Sequence, residues 1–135
     1  MTGINTIAFT PRKIQTLNAS VTTANTDLTG ASGSVIQFKN TNAAFTTGTD
    51  GSLLINWTVN YTVTSTAGQI MLFIKDGTTF WLVDAMAVTA ISVAAGTIGF
   101  QKTNTLNLYV PFNYTLYVST YKSEVAHVTA NVLDY

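Results

Sequence analysis

The chain has no cysteine, which excludes disulfide staples, thiolate metal sites and cysteine nucleophiles. Charge is scarce too. Six Lys+Arg and six Asp+Glu make up 9% of the residues, where ordinary globular chains carry about a quarter. A formal net charge of zero gives no electrostatic footprint for phosphate, so nucleic-acid binding is not expected. With His127 as the only histidine, a transition metal would lack the several imidazoles or thiolates that such sites recruit. No apolar run approaches the ~20 residues of a membrane helix, and the N-terminus lacks the charged-then-apolar layout of a secretory signal. Neither membrane insertion nor export by that route is expected, and no cofactor is expected either.

The surface must therefore be built from Thr, Asn, Ser and Gly, around a chain that is 47% hydrophobic. Such a surface is wet but has little charge repulsion to keep neighbours apart, which is the composition of an assembly subunit. At 135 residues one domain can bury roughly two-thirds of its unfolded surface.

Alternation sets the fold class. Leu53, Ile55, Trp57, Val59, Tyr61 and Val63 occupy every second position, with Asn56, Thr58, Asn60, Thr62 and Thr64 between them. Period two means an extended strand with one apolar and one wet face. Ser34 to Lys39, Thr79 to Val83, Thr105 to Val110, Asn113 to Tyr121 and Ala126 to Val132 read as further strands. Gln69 to Lys75 is apolar on both faces, which predicts cover from both sides, by the second sheet and by a neighbouring subunit. Asp76-Gly77 predicts the hairpin joining it to the next strand. The reading is an all-β, single-domain antiparallel β-sandwich of jelly-roll or Greek-key type. Residues 1–18 read as an extended N-terminal arm and 19–135 as the sandwich, because Pro11 argues against a place inside a sheet.

Candidate chemistry is thin. Asp50 and Asp76 each precede a glycine and fit turns. Asp84, Glu124 and Asp134 lie in separate segments, and no phosphate loop, nucleophile elbow or EF-hand spacing occurs, so an enzyme is not expected. The four Asn-X-Ser/Thr triplets, at Asn18, Asn56, Asn60 and Asn113, follow from the richness in Asn and Thr. Contact residues are expected in two groups: Ile4, Ile7, Phe9, Arg12 and Lys13 of the arm, the Arg12-Lys13 pair reading either as a solvated turn or as an anchor onto an acidic neighbour, and Trp81, Tyr117 and Tyr121 as outer-face aromatics. Those aromatics could also stack on a sugar if they cluster beside Asn and Asp.

The second half of the chain resembles a group of small all-β virion proteins of tailed phages. The resemblance is carried by Ser65-Thr66-Ala67-Gly68, Met71-Leu72-Phe73-Ile74 and Asp76-Gly77, then by Leu106-x-Leu108-x-Val110-Pro111, Tyr114-x-Leu116, Ser119-Thr120 and the closing Asp134-Tyr135. Val21-Thr22-Thr23-Ala24-Asn25-Thr26 is similar as well. Asn113 stands where such proteins usually carry glycine, and the Lys122-Ser123-Glu124 loop departs from their usual residues. The resemblance implies a non-enzymatic capsid decoration or minor capsid subunit on the head surface. Its implied partners are copies of itself, such as a trimer, and other virion proteins such as the major capsid protein. The alternative is a receptor- or glycan-binding module of a fibre or adhesin.

Overall fold

A computed structural model describes residues 11–30 and 34–135. Within them the chain forms ten strands and no helix: β1 Lys13–Val21, β2 Ile36–Gln37, β3 Lys39–Asn40, β4 Ala43–Ala44, β5 Ser52–Tyr61, β6 Gly68–Lys75, β7 Phe80–Val88, β8 Gln101–Val110, β9 Thr115–Thr120 and β10 Ala126–Asp134. They make two antiparallel sheets, one of six strands in the order β4-β3-β1-β10-β5-β8 and one of four in the order β2-β9-β6-β7.

The wiring is a nested hairpin. The β6–β7 turn at Asp76-Gly77 is its tip, and outward from it β5 pairs with β8, β2 with β9, and β1 with β10. Folding that double ribbon over itself puts alternate pairs in opposite sheets. Apart from the small β3–β4 extension, this is a jelly roll.

Residues of both inner faces fill the space between the sheets. Trp57, Val59, Leu17, Val128 and Ala130 meet Ile70, Leu72, Met86, Leu116 and Val118, all essentially without solvent exposure. Phe38 is buried where the chain leaves β2 in one sheet for β3 in the other. Its N–H donates to Leu116 O and its carbonyl accepts from Phe45 N–H, so the corner leaves neither backbone group unpaired.

The structure corrects three expectations. Strict alternation does not run from Leu53 to Val63: Ile55 is an extra residue opposite β10, and Leu106-Asn107, with Asn107 at φ 49°, form a bulge opposite β5. The slip turns Leu54 into the core and Leu53 outward, and the strand ends at Tyr61, leaving Val63 exposed. The arm is shorter than 1–18, since Lys13 to Asn18 lie inside the large sheet, with Lys13 opposite Asp134 and Asn18 opposite both Thr129 and Lys39. Pro11 marks that boundary, because the ladder begins with Arg12 N–H donating to Asp134 O.

The third correction concerns β6, which is covered on both sides by its own chain. Met71 and Phe73, on the outer face of the small sheet, are fully buried. Phe73 packs edge-on against Phe80, and Phe80 against Tyr117. The β1–β2 loop is tied down beside them. Asn25 N–H donates to Thr120 O, and Gly30, at φ 67°, approaches so closely that an added Cβ would lie 2.9 Å from Phe80. No neighbouring subunit is needed to bury Met71 and Phe73, while Leu82, Ala85 and Ala87, opposite β6 on the same face, are exposed.

Candidate functional site

The antiparallel register sorts the outer face of the large sheet into four rows, each crossing β1, β10, β5 and β8. Ser20, His127, Asn60 and Gln101 form one row; Asn18, Thr129, Thr58 and Thr103 the next; Thr16, Asn131, Asn56 and Thr105 the third. The fourth is apolar: Ile14, Leu133, Leu53 and Tyr109. No Lys, Arg, Asp or Glu stands in any of them. The polar groups bond sideways across the strands. Thr16 Oγ1 donates to Asn131 Oδ1 (3.2 Å), Asn131 Nδ2 donates to Asn56 Oδ1 (2.8 Å), and the hydroxyls of Thr58 and Thr103 lie 2.7 Å apart.

At the apolar end of this face a cleft of about 420 Å³ opens between Asp50, Leu53, Tyr109 and Tyr135. Tyr109 is 54% exposed, yet it is fixed. Its hydroxyl donates to Asp50 O (3.0 Å), and its ring lies on Gly51, where an added Cβ would sit 2.6 Å from two ring carbons. Gly51 is at φ 87°, so the turn and the close approach both call for glycine. Tyr135 is held by Tyr135 N–H donating to Gly51 O and Asp50 N–H donating to Tyr135 O.

Beneath the cleft lies a buried polar cluster. The Asp134 carboxylate accepts from Ser52 Oγ (2.7 Å) and from Gln15 Nε2, and Gln15 Oε1 accepts from Asn40 Nδ2 (2.7 Å). This cluster staples β1, β3, β5 and β10 together below Tyr109 and Tyr135. Asp134 thus has a structural role that its isolated place in the sequence did not reveal.

Arg12 reaches this site, but its acidic neighbour belongs to its own chain. The guanidinium donates to Thr49 Oγ1 (2.8 Å) and faces Asp50 Oδ2 at 3.4 Å, an exposed pair. Lys13 is the exposed first residue of β1. Ile4, Ile7 and Phe9 lie outside the described residues.

The three outer-face aromatics do not converge. Trp81, 52% exposed, donates its indole N–H to Asp76 Oδ2 (3.0 Å) at the hairpin tip. Asp76 also accepts from the N–H groups of Thr79 and Thr78, and these bonds, Thr79's foremost, hold its carboxyl at about 2. Tyr117 is half-buried, stacked edge-on against Phe80 with the Lys75 ammonium nearby, and its hydroxyl donates to Gln37 Oε1. Tyr121 lines a separate depression with Gly68, Gln69 and Ala87. A further aromatic that is fixed and open to solvent is Tyr109, as Trp81 is at the hairpin tip beside Leu28 and Leu82. The sequence carried the signal of Tyr109 in parity, since it falls between Leu108 and Val110 of an alternating strand.

His127 is exposed on the outer face, and among the described residues no group of three or more His, Cys, Asp or Glu gathers to hold a metal. Asp84 accepts from Trp57 Nε1 (2.8 Å) and Asn104 Nδ2 (3.2 Å), bridging the two sheets. Burial raises the Tyr61 hydroxyl above its ordinary value, with the bond to Thr120 opposing and the Glu124 charge adding to the rise. No family model matches the sequence, and no curated protein or solved structure is significantly similar to it.

Proposed function

We propose that this protein is a non-enzymatic structural subunit of a phage virion, a capsid decoration or minor capsid protein that stabilises the shell through subunit–subunit contacts. The observation that carries the reading is the outer face of β1, β10, β5 and β8 in the large sheet: sixteen positions without formal charge, edged by an apolar row. A contiguous apolar edge on an uncharged face is what an interaction surface presents. The sequence resemblance to tailed-phage virion proteins supplies the identity of the assembly. Jelly rolls recur in viral capsid and lectin domains.

The test is co-sedimentation with phage particles lacking the protein, using the full chain and a variant without Met1–Thr10. The deletion stops at Thr10 because Arg12 already belongs to the ladder. The full chain is expected to pellet with the particles and the shortened chain to fold but stay in the supernatant. A full chain that ignores the particles overturns the reading.

One observation favours a second reading, a glycan-binding module. The fixed Tyr109 ring beside Asp50, Arg12 and Thr49 is the arrangement a sugar ring needs, an apolar face to stack on with polar groups at its rim. Under that reading Tyr109→Ala abolishes binding on a glycan array while the fold persists.

A further inference from the structure

We infer that two copies of this chain pack the outer face of β1, β10, β5 and β8 against each other about a twofold axis. Charge is the first argument. In an isologous contact each group meets the same surface on its partner, so any lysine or carboxylate near the axis would oppose its own copy. The sixteen positions of the four rows carry no Lys, Arg, Asp or Glu, and charged side chains stand at the edges of the patch, Lys39 opposite Asn18 and the Arg12–Asp50 pair beyond the apolar row.

Desolvation is the second. Covering polar groups is costly when they lose water and gain nothing. Here the Thr16–Asn131–Asn56 chain and the Thr58–Thr103 pair already satisfy one another within the face, so less hydration is lost on covering it. The outer face of the small sheet, by contrast, is partly occupied by the chain's own loop beside Phe80, which leaves Leu82, Ala85 and Ala87 of β7 open.

Area is the third. Strands ~4.8 Å apart and alternate residues ~6.8 Å apart make four strands by four rows roughly 19 by 27 Å, about 500 Å² per copy and about 1,000 Å² in all. That total sits at the lower limit of a specific interface. The dimer is accordingly weak and reversible, with Ile14, Leu53, Leu133 and Tyr109 as its apolar part. The inference does not depend on the virion reading, and its test contains no particles.

Light scattering and sedimentation velocity of the full chain should show a concentration-dependent rise from 14.5 kDa towards twice that mass. Thr129→Lys, in the middle of the face, should raise the dissociation constant at least ~10-fold, because each lysine meets its copy. Thr97→Lys, in the exposed β7–β8 loop, should leave it unchanged. Since the chain lacks cysteine, Thr129→Cys gives an independent readout: a short bismaleimide should join two copies, and should not join Thr97→Cys. That readout decides the matter if Thr129→Lys fails to fold. A monomer at about 1 mM, a trimer, or a dimer that persists in Thr129→Lys overturns the inference.

Discussion

The two sheets present opposite solutions to the same geometric problem. The small sheet has apolar residues on both faces, and its outer Met71 and Phe73 are fully buried, Phe73 edge-on against the Phe80 ring that Gly30 of the β1–β2 loop approaches. The large sheet has Thr and Asn outward, bonded sideways, with none of the described residues laid over its four rows. On one face cover is intramolecular and the residues beneath it behave as a second core. On the other the chain supplies polar self-satisfaction instead of cover, and the face stays available.

Substitutions on the two faces should separate them by several kcal/mol. Phe73→Ala should lower unfolding free energy by about 3–5 kcal/mol in denaturant titration, as for a core ring, whereas Thr58→Ala on the opposite face should stay within about 0.5 kcal/mol. Equal effects would mean that Phe73 does not behave as a core residue. Asp134→Ala leaves Ser52 and Gln15 without their buried acceptor and should cost about 2–3 kcal/mol by the same measurement. Gly30→Ala tests the loop itself. A left-handed backbone costs about 1–2 kcal/mol in a residue with a Cβ, and the clash with Phe80 adds to that, so faster proteolysis in the β1–β2 loop is expected.

The smallest effect is at the hairpin tip. Asp76 has its folded value lowered from 3.8 to about 2. A depressed carboxyl contributes stability above its unfolded value and loses it as pH falls through the folded one. The unfolding midpoint of the wild type should therefore approach that of Asp76→Asn between pH 3.8 and about 2. A constant difference across that window would show that the turn bonds do not depend on the charge.

Alternation made the sandwich legible, and the Asp76-Gly77 hairpin formed where glycine's tolerance of positive φ placed it. Two things were hidden. A bulge changes parity without changing composition, so Leu53 and Leu54 exchanged roles at Ile55 with no local signal. The double-sided hydrophobicity of β6 signalled cover correctly but not its source, because a loop with Gly30 and a second subunit satisfy the same burial. The candidate site was the least legible part. Tyr109, Asp50, Leu53 and Tyr135 meet only because the jelly roll brings β1, β5, β8 and β10 to one end, a consequence of pairing far along the chain. The aromatics chosen on local pattern, Trp81, Tyr117 and Tyr121, were scattered by that same topology.

The nested hairpin has a kinetic consequence. β1 is flanked by β3 on one side and β10 on the other, and Lys13 waits 121 residues for Asp134. During synthesis β1 emerges with one long edge unmatched, and it stays so until β10 has left the ribosome. Such late, non-local closure places folding in the milliseconds-to-seconds range of all-β domains. Over that interval the unmatched edge and its apolar residues are open to other chains. Nascent-chain yield should therefore depend more on the departure of β10 than on the stability of the finished sandwich.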